Sequence, residues 1–194
     1  MTRTATIKRS TRETNIEVVL NLDGGRNIEI QTGLGFFDHM LTALSFHACW
    51  DLKLTCKGDL HIDDHHTVED CGLALGSAIN QALGDKQGIK RFASAYAPLD
   101  ESLARAVIDF SGRPSSVIQL QLQRDMIGQV ACENLTHFFQ SLASAGLFTL
   151  HVDVLRGTND HHRAEAAFKA LALAVREAIE IRDSADVPST KGTL

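Results

Sequence analysis

Apolar and polar residues alternate along much of the first thirty positions of the chain, and this period of two predicts β-strands. Ile16, Val18 and Leu20 fall at every second position and would bury one face of a strand. The adjacent Gly24 and Gly25 indicate a turn. The pattern therefore predicts three strands in this segment, over residues 3–9, 13–22 and 27–31.

Helical spacing replaces the alternation further along the chain. Met40, Leu41 and Leu44 predict a short helix over residues 38–46. The run DLKLTCK, which begins at Asp51, predicts another strand. A longer helix is expected from about residue 64 to residue 83, because its apolar stripe recurs every three or four positions, at Val68, Cys71, Leu75, Ile79 and Ala82.

The second half of the chain repeats the first. The segment DDHHTVEDCGLALGSAI aligns with NDHHRAEAAFKALALAV, DHMLTALSF with THFFQSLAS, and ETNIEVVLNLDGGR with DESLARAVIDFSGR. The last alignment pairs Glu13 with Asp100 and Arg26 with Arg113. The repeat predicts the same elements again: strands over 91–97, 102–110 and 115–123, a helix over 131–145, a strand over 147–155 and a helix over 161–181.

The predicted element order is β-β-β-α-β-α, twice, and it is typical of an α+β fold with helices packed on one face of each sheet. We expect two sheets with a helical layer between them. The halves, residues 1–86 and 87–183, would pack as one domain about a pseudo-twofold axis, helix side to helix side. Residues 184–194 are small and polar and show no periodicity, so they predict a tail or a loop.

Composition and charge narrow the classes of function. Of the 194 residues, 44% are hydrophobic and 22% are charged, as in ordinary globular proteins. The formal net charge of −5 gives no basic field for nucleic acid or an anionic membrane, and no apolar run reaches membrane-spanning length. The polar N-terminus has no apolar signal core, and the four cysteines form no C-x-x-C pair. We therefore expect a cytoplasmic protein with reduced thiols.

The nine histidines are more informative than the cysteines, because most of them cluster. His65 and Glu69 would lie one turn apart on one helix face, where an imidazole nitrogen and a carboxylate oxygen can bind one divalent ion. His66 points about 100° away around the helix, so we expect it to serve a second ion or a neighbouring subunit. The same three positions recur in the second half as His161, His162 and Glu165.

A single pair of adjacent histidines at a helix start is more often a surface or capping feature than a ligand set. The repeat favours a metal site, since His39 and His137 also occupy matching places. We predict eight ligands, enough for two octahedral ions with open positions, which suits Mn²⁺ or Fe²⁺. The order H-H-x-x-E differs from the H-E-x-x-H of zinc proteases. Structural or surface positions are predicted for the unrepeated His47, His61 and His151.

Two further sets of polar residues are candidates for contacts with a substrate. Arginine contacts phosphate bidentately and lysine supplies a point charge, although most surface cations are merely solvated. The candidates for an anion pocket are Arg91, Arg113, Ser189 and Lys191. Glu13 and Asp100 are carboxylates that could act as a general base or bind a hydroxyl. Exposed carboxylates at strand ends are the alternative for this pair.

Taken together, these segments resemble the imidazoleglycerol-phosphate dehydratase family. The resemblance runs from about Thr4 to Gly192, nearly the whole chain. The segments that carry it are GFFDHML at 35–41, DDHHTVED at 63–70, SGRP at 111–114, NDHHRAEAAFKAL at 159–171 and PSTKG at 188–192.

The resemblance implies a duplicated fold similar to a domain of ribosomal protein S5, and two Mn²⁺ ions per active site. It implies sites formed between the subunits of a 24-subunit cubic assembly of trimers. The implied metal ligands are His39, His65, His66, Glu69, His137, His161, His162 and Glu165. The implied substrate contacts are Glu13 and, around the phosphate, Arg91, Arg113, Ser189 and Lys191. Asp100, the repeat partner of Glu13, is a further candidate for a substrate contact.

The resemblance also implies a reaction, the dehydration of D-erythro-imidazole glycerol phosphate to imidazole acetol phosphate in histidine biosynthesis. With both ring nitrogens bound to metals, the substrate would become an imidazolate, expel the adjacent hydroxyl to form a diazafulvene, and lose the neighbouring proton to give an enol and then a ketone. Glu69, Glu165 or a metal-bound water would transfer the protons. The candidate catalytic residues are Glu13, His65, Glu69, His161 and Glu165.

Two other functions stay open from the sequence. A dinuclear metal hydrolase that acts on a small phosphorylated substrate would release inorganic phosphate. A metal-storing or structural shell would bind excess metal and would have no need of an anion pocket.

Overall fold

A computed structural model of the chain describes residues 2–182 and Ser189. The first half contains β1 (Thr4–Ser10), β2 (Thr14–Asn21), β3 (Ile28–Gln31), α1 (Gly35–Ala48), β4 (Asp51–Gly58) and α2 (His65–Leu83). The second half contains β5 (Phe92–Leu99), β6 (Ser102–Asp109), β7 (Ser115–Gln119), β8 (Met126–Ile127), β9 (Val130–Ala131), α3 (Cys132–Gly146), β10 (Thr149–Arg156) and α4 (Asp160–Ala178). The predicted element order is therefore present in both halves, with the short β8–β9 hairpin added.

Each half forms a four-stranded mixed sheet of the same topology. The strand orders are β1-β2-β4-β3 and β5-β6-β10-β7. The last pair in each sheet is parallel, and the other pairs are antiparallel. Burial alternates along β2 and β6, the second strands, as the period of two predicts. Their buried faces turn towards the helices.

The four helices lie between the two sheets and join the halves. Helix α2 packs on β1 and β2, and α4 packs on β5 and β6. Across the halves, α1 packs against α4 and α2 against α3. The apolar core runs through both halves, with the rings of Phe138 and Phe168 stacked at 5.3 Å between centroids. The predicted α+β architecture with a helical layer is confirmed.

Helices α2 and α3 approach closely because α2 carries glycine where they meet. A Cβ atom on Gly76 would lie 2.4 Å from the backbone oxygen of Leu142, and one on Gly72 would lie 3.0 Å from that of Phe138. Side chains at these positions would force the helices apart. The glycines thus bring the start of α2, with its histidine pair, beside α3.

The start of α1 was predicted too late. The helix begins at Gly35 rather than at Asp38, because Asp38 lies within the first turn and accepts hydrogen bonds from the backbone and hydroxyl of Thr32. Aspartate is common at the residue that precedes a helix, so in the sequence Asp38 resembles a helix start although it lies inside the first turn.

Two other boundaries were predicted too long. The strand predicted over 115–123 ends at Gln119, because the backbone N–H groups of residues 123 and 124 donate to Asp160 instead of to a strand. The helix predicted over 161–181 ends at Ala178, and Ile181 instead forms an isolated bridge with Ile89. The remaining boundaries differ from prediction by at most two residues, which is the usual uncertainty of element ends.

In the part of the chain that is described, none of the helices has the length and apolar character needed to cross a membrane. The four cysteines are free thiols, as predicted.

Candidate metal centre

Helices α2 and α3 bring together one set of predicted ligands. Nε2 of His137 lies 3.2 Å from Oε1 of Glu69, and Nε2 of His65 lies 3.6 Å from Oε2 of the same carboxylate. The two imidazole rings stack at 5.0 Å between centroids. One ligand atom from each residue lies within 4.8 Å of the other two. This spacing fits a shared divalent ion.

Helices α1 and α4 form a second set in the same way. Nε2 of His39 and Nε2 of His161 each lie 3.2 Å from Oε2 of Glu165, and these ligand atoms also lie within 4.8 Å of one another. Oε1 of Glu165 pairs with the ammonium of Lys169 at 2.6 Å. Burial opposes ionisation of Glu165, but the contacts with Lys169 and His39 outweigh it and lower the pKa of the carboxyl. The carboxylate is therefore anionic, as a metal ligand must be.

His66 and His162 lie beside these two groups but belong to neither. Nδ1 of His66 lies 3.0 Å from Asp59, and Nδ1 of His162 lies 2.7 Å from Glu101. The hydrogen bonds to these carboxylates raise the pKa of both imidazoles. Both histidine side chains keep about a third of their surface exposed. Among the described residues, both histidines therefore stay outside the two groups, and their role as ligands of another ion or of a neighbouring subunit stays a prediction.

Four of the predicted ligands have an oxygen acceptor at Nδ1, among them His137, whose Nδ1 lies 3.5 Å from Oε1 of Gln140. Besides His66 and His162, His65 has its Nδ1 at 3.0 Å from Oδ1 of Asn134. A hydrogen bond at Nδ1 places the ring hydrogen there and leaves the lone pair of Nε2 as the ligand atom. The donor set and these orienting contacts together fit a divalent ion of the Mn²⁺ type.

Two buried aspartates fix the loops around the motif helices. Oδ2 of Asp64 accepts a hydrogen bond from the backbone of Ala131 at 2.8 Å. Oδ2 of Asp160 accepts hydrogen bonds from Gln123 and Arg124 at 2.8 and 2.7 Å. The aspartate of each D-H-H motif thus ties the helix start to a loop of the second half and positions the following histidines.

The predicted pairing of Glu13 with Asp100 is shifted by one residue. The registers of the two hairpins make Glu101 the structural counterpart of Glu13. Because residues 100 and 101 are both acidic, the sequence alone allows Glu13 to align with either of them. The hydrogen-bonded register of the strands allows only Glu101. The originally paired acids nevertheless occupy comparable places: Glu13 lies 3.6 Å from Nε2 of His66, and Asp100 lies 3.8 Å from Nε2 of His162.

Arg91 and Arg113 lie far from Asp100 within one chain. Nε of Arg91 donates to Asp109 at 2.7 Å, and its guanidinium lies 4.4 Å from the ring centroid of Phe92. Arg113 lies at the same end of the sheet as Arg91, next to the start of β10. Asp100 is at the opposite end of the β5–β6 hairpin, about 25 Å away at the rise of a strand. Arg91 and the ligand groups therefore do not form one site within a chain.

Five other residues singled out in the sequence remain to be placed. Ser189 is partly buried, and Lys191 lies outside the described residues with most of the predicted substrate-binding tail. His61 and His151 are exposed and His47 is partly buried, and none of the three joins either ligand group among the described residues.

Comparisons with known proteins identify the family of the chain. A family model described as imidazoleglycerol-phosphate dehydratase matches residues 32–175 of the chain. The imidazoleglycerol-phosphate dehydratase of Candida glabrata is 55% identical over 208 residues, which cover 98% of this chain and 99% of that protein. The chain belongs to the imidazoleglycerol-phosphate dehydratase family. The Saccharomyces cerevisiae protein of the same name is 50% identical, over 98% of this chain and 97% of the relative.

Solved structures of imidazoleglycerol-phosphate dehydratases share the fold. The Pyrococcus furiosus enzyme, solved in complex with (S)-C348, superposes with a TM-score of 0.83 at 36% identity and covers 97% of this chain and 100% of its own. The Staphylococcus aureus enzyme superposes with a TM-score of 0.78 at 34% identity, over 91% and 99% of the two chains. The predicted enzyme class, a hydro-lyase of histidine biosynthesis, is therefore confirmed.

The sequence analysis missed several residues that contact the predicted metal ligands. Asn134 lies one turn before His137 on α3, and Lys169 lies one turn after Glu165 on α4, so helical spacing could have revealed both. Asp59 follows β4 in a loop, and no sequence signal connects it with a histidine seven positions later. Its role depends on the path of that loop.

Proposed function

We propose that this chain dehydrates D-erythro-imidazole glycerol phosphate to imidazole acetol phosphate and water with the help of two Mn²⁺ ions. The observation that carries the metal dependence is the pair of equivalent three-residue groups, each with two imidazoles and one carboxylate whose ligand atoms lie within 4.8 Å of one another. Family membership supports the substrate and the reaction.

The residues that would hold the ions follow from the groups. His65, Glu69 and His137 would bind one ion, and the group His39, His161 and Glu165 would bind the other. Three protein donors leave positions of an octahedral ion free for a further ligand and for the substrate. Manganese suits mixed imidazole and carboxylate donors, and when bound it would act as a Lewis acid towards the substrate's imidazole ring.

We further propose that His66 and His162 supply the additional ligand to groups of neighbouring subunits. Both lie outside the groups of their own chain, and both have Nδ1 occupied by a carboxylate, which leaves Nε2 as the ligand atom. The separation of Arg91 from Asp100 of its own chain also supports sites shared between subunits, such as those of the predicted assembly of 24 subunits.

The chain's own acid groups would move the protons. Glu69 and Glu165 are both engaged by two histidines, and Glu165 also by Lys169. Glu13 is about half exposed and lies 3.6 Å from His66, so it is the acid most available to a substrate proton. It would protonate the departing hydroxyl or receive the neighbouring carbon's proton. Loss of that carbon's proton restores the aromaticity of the substrate's imidazole ring and gives an enol, which becomes the ketone product.

The phosphate of the substrate would bind Arg91 and Arg113, together with Ser189 and Lys191. The ion pair of Arg91 with Asp109 and its packing on Phe92 fix the plane of the guanidinium. A fixed guanidinium plane favours bidentate contact with a phosphate group.

The direct test uses chelator-treated protein and imidazole glycerol phosphate, with and without Mn²⁺, and follows the ketone by its absorbance in alkali. We expect ketone only when Mn²⁺ is present. His65→Ala should abolish Mn²⁺ binding at its group and turnover, whereas His61→Ala, at an exposed histidine outside both groups, should keep both. Glu13→Gln should keep Mn²⁺ binding and lower kcat at least about 100-fold.

Each contrary result has a definite meaning. Ketone formation that persists without any divalent ion would refute the metal dependence. Release of inorganic phosphate in place of ketone would favour the dinuclear hydrolase. Retained turnover in His65→Ala would refute the ligand assignment, while unchanged kcat in Glu13→Gln would remove Glu13 from the proton transfer.

A further inference from the structure

The two ligand groups differ at one position of the internal repeat. Helix α4 carries Lys169 one turn after Glu165, whereas the matching position on α2, one turn after Glu69, is Leu73. Nζ of Lys169 lies 2.6 Å from Oε1 of Glu165, and only 20% and 12% of these side chains are exposed. Because solvent screens a shielded charge weakly, the ammonium acts strongly on its surroundings.

The lysine changes how the carboxylate faces its histidines. Glu69 turns Oε1 towards His137 and Oε2 towards His65, so both of its oxygens face the ligand group. Glu165 turns only Oε2 towards its two histidines, because Oε1 contacts Lys169. One group therefore offers two carboxylate oxygens to an ion, and the other offers one.

We propose that Lys169 makes the two metal-binding groups unequal. It holds Glu165 in a one-oxygen binding mode and places a positive charge next to the ion, so that this group binds Mn²⁺ more weakly than the group of Glu69. Lys169 is thus a positioning residue that acts through Glu165. The inference rests on the metal dependence proposed above.

The expected difference in affinity is about tenfold or more, since residues that orient metal ligands typically change affinity roughly 10–100-fold. The consequence is stepwise loading: the Glu69 group fills at low Mn²⁺ concentration, and the Glu165 group fills only at higher concentration. At intermediate concentration, the chains would carry one ion each.

The experiment is a titration of chelator-treated, full-length assembled protein with Mn²⁺ alone, in which free Mn²⁺ is followed by electron paramagnetic resonance. We expect two classes of site per chain with dissociation constants at least about tenfold apart. Glu165→Gln should remove the weaker class, and Glu69→Gln should remove the tighter class.

The lysine itself is tested by a reciprocal pair of variants. Lys169→Met keeps the side-chain length without the charge, and should strengthen the weaker class until the two classes converge. Leu73→Lys installs the same one-turn pair beside Glu69, and should weaken the tighter class. Lys53→Met is the matched control, because Lys53 pairs with Glu29 on an exposed strand and both side chains are more than half exposed. It should leave both classes unchanged.

The outcomes separate this inference from the metal dependence on which it rests. Two identical classes in the unmodified protein, or unchanged classes in Lys169→Met, would overturn the role of Lys169 and leave the metal centre in place. A protein that is folded and assembled but binds no Mn²⁺ at all would overturn the metal centre and, with it, the role of Lys169.

Discussion

Oδ1 of Asn134 lies 3.0 Å from Nδ1 of His65, and the equivalent position of the repeat is Phe36, whose ring meets that of His161 edge to face at 5.2 Å between centroids. One position of the repeat therefore contacts a predicted metal-ligand histidine in both halves. It does so by a hydrogen bond in one half and by an aromatic contact in the other. The duplicated helices have kept the place of the contact while its chemistry has changed.

Replacing Asn134 should weaken Mn²⁺ binding at the group of His65. Asn134→Leu removes the acceptor for Nδ1, so the ring loses its fixed tautomer and orientation, and we expect affinity to fall roughly 10–100-fold. Titration with Mn²⁺ measures this loss. Asn134→Asp keeps an oxygen at the same place and should retain tight binding. Equal affinity in Asn134→Leu and the unmodified protein would show that the contact does not orient the ligand.

If the metal sites are shared between subunits, two inactive variants should restore each other. His66→Ala lacks the ligand given to a neighbour, and, if the Glu165 group of that neighbour receives His66, Glu165→Gln lacks a ligand of the receiving group. In co-expressed mixed assemblies, some sites combine an intact His66 from one chain with an intact Glu165 from the next. At equal mixing we expect about a quarter of the sites to recover, measured as ketone formation. Mixed assemblies as inactive as the separate variants would place each site within one chain.

Asp109→Asn should impair binding of the phosphorylated substrate without impairing chemistry. Asp109 pairs with Arg91 through both carboxylate oxygens, at 2.7 and 3.2 Å, and fixes its guanidinium. A neutral amide holds the guanidinium less firmly, so we expect KM to rise several-fold to roughly tenfold with kcat nearly unchanged. Steady-state kinetics at saturating Mn²⁺ provide the measurement. A fall in kcat at constant KM would contradict a role in phosphate binding.

Gly76→Ala should destabilise the helical layer. The added methyl would meet the backbone of Leu142 at 2.4 Å, and backbone atoms cannot move aside as a flexible side chain can. Overpacking of this kind costs about 1–3 kcal/mol, which corresponds to a Tm lowered by a few degrees. Gly35→Ala is the control, since a methyl there meets no atom within 4 Å. Thermal unfolding of both variants tests the contact, and equal Tm values would refute it.

Cys132 should resist alkylation at neutral pH. Burial raises the pKa of its thiol to about 11, because the charged thiolate is disfavoured away from water. At pH 8 only about 0.1% of the thiol is then ionised, and the thiolate is the reactive form. Peptide mapping after brief iodoacetamide treatment should show Cys49, which is partly exposed, modified well before Cys132. Labelling of Cys132 should accelerate as pH rises towards 11, and rapid labelling at pH 7 would contradict the shift.

The sequence by itself determined the element order, the duplication and the repeated histidines and glutamates that are predicted to bind metal. The period of two in β2 and the period of 3.6 in α2 are local properties of the chain, because side-chain direction follows directly from backbone conformation. The one-turn spacing of His65 and Glu69 is likewise a local property of the chain. The resemblance to the dehydratase family extended these facts to a reaction.

Only the tertiary structure decided which of the predicted ligands lie close enough together to share an ion. His137 and Glu69 are distant in sequence, and they meet because Gly72 and Gly76 allow α2 and α3 to approach closely. Identifying the counterpart of Glu13 likewise required the hydrogen-bonded register of the strands, since a sequence alignment cannot distinguish between two adjacent acids. The one-oxygen contact of Glu165 depends on side-chain geometry around Lys169. These features arise from packing between segments far apart in the chain, where no local periodicity carries information.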